Sequence, residues 1–182
     1  NMYYYGIYTA GTVNVSNAII DMAGYVSTGH GIYTHASSIT SITNTSILNC
    51  NYGIYVSSNN SQITIDNSTL SSNNYPLYFG YTGDLTLTGT NNFTGNTYNV
   101  FYVYQASIGT DWSLPFVNVP YYFRTSFTVN NGSTLSIASE NILKFTNGAQ
   151  LYVKGTLTAN ANEGENIYFT SYRDDNWGGD SN

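Results

Sequence analysis

Three carboxylates, Asp174, Asp175 and Asp180, gather in RDDNWGGDSN at 173–182, the one place where acidic side chains cluster. With Asn176 and Asn182 nearby, they could supply the oxygen ligands that Ca²⁺ prefers, although their spacing does not match an EF-hand loop. Calcium is the one cofactor these residues suggest; otherwise no cofactor is expected. Polysaccharide cleavage demands more. A hydrolase needs paired carboxylates, and a lyase needs a basic residue to accept the proton. Residues 1–104 carry only Asp21, Asp66 and Asp84 as acids and no Lys or Arg. His30 and His35 lie among aromatics and small polar residues. Neither a Gly-x-Ser-x-Gly nucleophile elbow nor a Gly-rich phosphate loop occurs. Cys50 is the only cysteine, which excludes an internal disulfide. The expectation is a protein without catalysis.

Composition narrows the class. Of 182 residues only 8% are charged, and the net charge is −6. Four Lys and Arg residues cannot build the basic surface that nucleic acid requires. A hydrophobic share of 41% argues against disorder. No run approaches the roughly 18 apolar residues of a membrane-spanning helix, so no transmembrane segment is expected. Asn, Thr and Ser supply most of the polarity, and Tyr is abundant. Such residues favour turns and pleated surfaces over helix interiors.

The elements that would position these side chains come from a repeat. Five segments align: YGIYT at 5–9, HGIYT at 30–34, YGIYV at 52–56, YPLYF at 75–79 and YNVFY at 98–102. Their near-constant step is that of a solenoid coil. Alternation within a strand sends Ile7, Ile32, Ile54, Leu77 and Val100 inward. The same alternation sends Tyr8, Tyr33, Tyr55, Tyr78 and Phe101 outward as an aromatic contact column. A second strand supplies the inward pairs Val15/Ile20, Ile42/Ile47, Ile65/Leu70 and Leu87/Phe93, each bracketing a corner. Asn73 aligns with Asn96 and Asn51 with Asn74, where side chains can bond from coil to coil. Short strands, sharp corners and a fixed period describe an all-β solenoid with about 22–25 residues per coil.

The repeat fades after Tyr104. The segment 105–125 holds Pro115 and Pro120 and reads as a junction between the repeats of 1–104 and a different apolar pattern over 126–182. In that last part stand Val129–Ile137, Lys144–Phe145, Leu151–Ala159 and Ile167–Ser171, closed by the acidic, Gly-containing Arg173–Asn182. These motifs resemble the opening coils of the right-handed parallel β-helix modules of large secreted bacterial and archaeal surface proteins, in the pectate-lyase-like superfamily. Residues 5–102 resemble later coils of the same family. The resemblance implies a right-handed parallel β-helix. It implies little about activity, because that fold carries lyases, hydrolases, adhesins and inert fibres. Later coils precede opening coils, so the chain reads as the end of one module followed by the start of another.

The expected function is therefore a non-catalytic structural or adhesive protein outside the cell or on its surface, self-associating end to end or in tandem into a fibre. The alternative is a β-helix that binds or cleaves carbohydrate, with the aromatic column as its contact face. Six Asn-x-Ser/Thr sequons, at Asn14, Asn44, Asn59, Asn67, Asn92 and Asn131, are candidate glycosylation positions.

Overall fold

A chain that repeats its pattern at a near-constant step can pair its backbone simply by laying each copy on the last. The computed structural model, which describes residues 4–22, 25 and 27–180, shows this arrangement. Eight short strands form one long parallel sheet: Tyr4–Thr9, Gly29–Thr34, Tyr52–Val56, Tyr75–Phe79, Phe101–Val103, Tyr121–Phe123, Ile142–Phe145 and Tyr168–Ser171, in chain order. Ile7, Ile32, Ile54, Leu77, Phe101, Tyr121, Leu143 and Phe169 are register partners from one strand to the next. The fold is a parallel β-solenoid of about seven turns with about 23 residues per turn. No helix occurs among the described residues, so none is long and apolar enough to cross a membrane.

Two further faces close the early coils. Thr12–Ser16, Ile39–Thr43, Gln62–Asp66 and Asp84–Thr88 form a four-stranded sheet, and Ile19–Asp21, Ser46–Leu48 and Thr69–Ser71 form a corner sheet. Both faces change at 105–125. The long sheet runs on through that segment, where Phe101–Val103 pairs with Tyr121–Phe123. The other faces resume as Ser107–Ile108, Phe127–Val129, Leu151–Val153 and as Trp112–Leu114, Thr134–Ile137, Thr156–Thr158. Large rings fill the interior there. Trp112 meets Phe79 edge to face at 5.4 Å, and its indole N–H donates to the Gly83 carbonyl at 3.0 Å. The fully buried Tyr121 donates its hydroxyl to the Pro115 carbonyl at 2.8 Å.

Aliphatic side chains form the core of the early coils: Ile32, Ile42, Ile47, Ile54, Ile65, Leu70 and Leu77 are fully buried. Each contributes roughly 1.5–3 kcal/mol through removal from water. Gly31 and Gly53 precede the inward Ile32 and Ile54. A Cβ on Gly31 would come within 2.4 Å of Ile47 Cγ2 and 2.5 Å of the Gly53 carbonyl. Glycine there lets the corner sheet close against the long sheet.

The corners are polar, and two devices satisfy them. One is a left-handed residue in successive coils: Asn17, Asn44, Asn67 and Gly89 have φ of 51°, 48°, 46° and 60°. Asn and Gly tolerate this conformation best. The other is an inward amide ladder. Asn73 Oδ1 accepts the Cys50 N–H at 2.9 Å, and its Nδ2 donates to the Ile47 carbonyl at 3.1 Å. Asn96 does the same for the Asn73 N–H at 3.0 Å and the Leu70 carbonyl at 2.9 Å. The Asn51/Asn74 pair bonds directly, Asn74 Nδ2 donating to Asn51 Oδ1 at 3.0 Å. Removing an inward rung orphans the buried N–H it serves. Asn73→Ala is expected to lower the unfolding free energy in urea by about 1–3 kcal/mol, whereas Asn147→Ala, at an exposed turn, should stay within about 0.5 kcal/mol.

Candidate functional site

The outer surface of the long sheet is covered by rings. Parallel, in-register strands place each side chain above its copy at about 4.8 Å. One column runs Tyr8, Tyr33, Tyr55, Tyr78, Tyr102, with centroid separations of 5.4, 5.0, 4.6 and 5.0 Å and interplanar angles of 9°, 18°, 22° and 15°. A second runs Tyr5, His30, Tyr52, Tyr75, Tyr98, separated by 5.6, 5.2, 5.5 and 4.8 Å. Within coils the columns meet edge to face, as at Tyr52 and Tyr55.

Phe101 does not belong to the outward column. It is fully buried and pairs in register with Leu77, while Tyr102 pairs with Tyr78. The sequence alignment set Val100 beside Leu77, so the true partner lies one position further along the chain. Because side chains alternate with period two, that single shift exchanges the inner and outer faces.

Between the columns lies a cavity of about 420 Å³, lined chiefly by Tyr5, His30, Tyr52, Tyr55 and Tyr78, with Thr28 and Asn51 at its side. This lies within the range of small-ligand sites. The long first step of the chain supplies the wall. Ser27 and Thr28 line one side of the cavity, and the Thr28 and Gly29 N–H groups donate to the Tyr25 carbonyl. His30 is 2% exposed, and burial pulls its imidazole down to about 4. Burial together with neighbouring phenols pushes Tyr75 and Tyr78 well above the usual tyrosine range. Burial also pushes Tyr102 up to about 12. The surface is thus uncharged at physiological pH, and its phenols can both donate and accept hydrogen bonds.

The acidic C-terminal segment folds over the same sheet further along. Lys144, in register with Tyr122, is fully buried and donates to the Gly179 carbonyl. Burial pulls its ammonium below the ordinary range, while Asp175, Asp174 and Asp180 pull it back. Asp174 accepts from the Thr170 hydroxyl and the Asn176 N–H, and the Thr170 bond, the larger cause, holds its carboxyl low. Trp177 stacks on Tyr168 at 3.8 Å. The Lys144 ammonium thus reaches the acidic segment, and the charges of that segment act on it. Asn182 lies outside the described residues.

All six sequon asparagines are exposed. Ser61 and Ser133, the hydroxyl partners of Asn59 and Asn131, are buried. Asn14 with Ser16 and Asn92 with Thr94 present both groups to solvent.

Residues 2–132 match the model of a family described as periplasmic copper-binding protein (NosD). The chain belongs to the NosD family. No curated protein and no solved structure matches it. The NosD description corrects the expectation of no cofactor or of calcium at Asp174, Asp175 and Asp180, because copper is the metal this family is described as binding. Copper selects imidazole, thiolate and thioether donors that converge. Here His30 faces the rings of Tyr5, Tyr33, Tyr52 and Tyr55. Cys50 sits in the core, donates to the Leu48 carbonyl at 3.2 Å, and is pushed up to about 12 by burial. His35 is exposed beside Tyr8. No three His, Cys, Asp or Glu residues converge among the described residues. Met2 lies outside them, and Met22 packs against the core. These donors do not fit a copper centre, and no chemistry is derived through one.

His30 gives a pH signature. The unfolded chain protonates it near 6.5 and the folded chain only near 4. The unfolded state therefore binds more protons between these values, and stability falls as the pH is lowered through that window. His30→Tyr, which installs the side chain found at its register partners Tyr5 and Tyr52, is expected to flatten the fall of melting temperature between pH 6.5 and 4 relative to wild type. An unchanged slope in thermal melts would refute this.

Proposed function

We propose that this protein is a non-catalytic, envelope-side β-solenoid that adheres to saccharide through the tyrosine face of its long sheet. The observation that carries the reading is the double column of rings with a cavity between them. Tyr offers an apolar body and a polar tip, a pairing suited to sugars. The periplasmic description of the family supports a place outside the cytoplasm, and a surface location extends that reading.

A self-associating surface fibre is the second reading. The uncharged face favours it, because two such faces could pack on each other. Sedimentation velocity over a concentration range separates the two.

Retention on polysaccharide-containing gels is the primary test. Wild type is expected to be retarded without releasing reducing or unsaturated sugars. Tyr52→Ala is expected to weaken binding about tenfold, the scale of one lost aromatic contact. Sugar release would overturn the non-catalytic reading, and absence of retardation would overturn adhesion.

A further inference from the structure

Independently of the saccharide reading, we propose that Asn92 is a glycosylation site. Of the six sequons, Asn92-Phe93-Thr94 is the one that the folded chain holds out as the acceptor for an N-linked glycan.

An acceptor asparagine in a folded chain needs an exposed carboxamide with an uncommitted nitrogen, an exposed hydroxyl two residues on, and backbone outside a strand ladder. The other sequons each miss one of these. Asn14 and Ser16 are exposed but lie within the strand Thr12–Ser16, where Asn14 is in register with Ser41. The amide nitrogen of Asn44 donates to Asn17 Oδ1 at 3.4 Å, and that of Asn67 donates to Asp66 Oδ1 at 3.3 Å. Asn67 Oδ1 also accepts the Thr90 N–H at 2.9 Å, so its side chain is committed to the corner. Asn59 and Asn131 fail because Ser61 and Ser133 are buried.

Asn92 meets every condition. It and Thr94 are exposed, while Phe93 between them is buried and meets Phe101 edge to face at 4.8 Å. The core thus holds the middle residue and leaves its two neighbours in solvent. Between Asp84–Thr88 and Phe101–Val103 no strand forms, and the corner sheet is reduced to a single bridge between Thr69 and Asn92. Asn92 Oδ1 accepts the Thr94 N–H at 3.0 Å and the Thr94 hydroxyl at 2.7 Å, a turn closed by the asparagine side chain itself. Both bonds fall on the oxygen. They draw electron density from the carboxamide, so the protons on Nδ2 become easier to lose.

The step is a group transfer without an oxidant or reductant. The donor is a lipid-linked oligosaccharide, and the enzyme is an envelope-side oligosaccharide transferase, which suits a family described as periplasmic. Asn92 Nδ2 forms a bond to the anomeric carbon, and one Nδ2 proton passes to a base of the transferase. The bond from that carbon to the lipid phosphate oxygen breaks, and the phosphate leaves with the electron pair.

Incubation of the folded whole chain with a purified oligosaccharide transferase and its lipid-linked donor, followed by peptide mass spectrometry, tests this. Synthetic peptides spanning each sequon report what the same enzyme accepts without the fold. The folded chain is expected to gain a glycan at Asn92 and at none of the other five asparagines, whereas peptides from several sequons are modified. Asn92→Gln and Thr94→Val, with circular dichroism and melting temperature unchanged, are expected to abolish the addition, and Thr94→Ser to retain it. A folded chain modified equally at another sequon would overturn selection by the fold. No addition at Asn92 would overturn the site, and full addition in Thr94→Val would overturn the part given to the hydroxyl.

Discussion

Everything in this molecule depends on parallel, in-register pairing between one coil and the next. Each backbone N–H and C=O on the faces finds its partner a coil away, so a residue's neighbour is its own counterpart from the adjacent repeat. The inward aliphatic columns, the amide rungs and the tyrosine columns are consequences of that one constraint. A coil by itself would bury little. Stacked, it shares a continuous core in which Ile32, Ile54 and Leu77 touch above and below.

The constraint creates a difficulty at the corners, where the chain must turn without leaving polar backbone unpaired inside. Asn resolves it in two separate ways. At Asn17, Asn44 and Asn67 it accepts the left-handed conformation. At Asn73 and Asn96 it turns inward and supplies, from its amide, both a donor and an acceptor that the bent backbone lacks. Cys50 stands where Asn73 and Asn96 stand in later coils. Its thiol donates to the Leu48 carbonyl, its N–H is served by Asn73, and burial keeps it un-ionised.

The same repetition makes the surface. A side chain suited to one coil is copied along the axis, so the face acquires a period before it acquires a ligand. Stacking uses the ring faces, and burial pushes Tyr75, Tyr78 and Tyr102 up and pulls His30 down. Every Lys and Arg lies at or beyond residue 124, and the charges of Asp175, Asp174 and Asp180 act on Lys144. Family membership gives the fold and an envelope-side association. The character of this face is set by the chain's own residues.

The sequence by itself determined the solenoid, its coil length, and the inward set Ile42/Ile47 and Ile65/Leu70, because each is carried by a pattern that recurs at fixed spacing. It also showed the Tyr8–Tyr78 column and the alignment of Asn73 with Asn96. Only the tertiary structure decided that Tyr102 and not Phe101 continues the column, since one added residue reverses a period-two pattern and no local signal marks the insertion. Nor could the sequence show that Lys144 reaches the Gly179 carbonyl in the 173–180 segment. That contact comes from a fold-back outside the coil register. That Ser27 and Thr28 line the same cavity as His30 was equally hidden. Repetition makes in-register neighbours legible in a sequence, whereas contacts that break the register depend on where the chain returns in space.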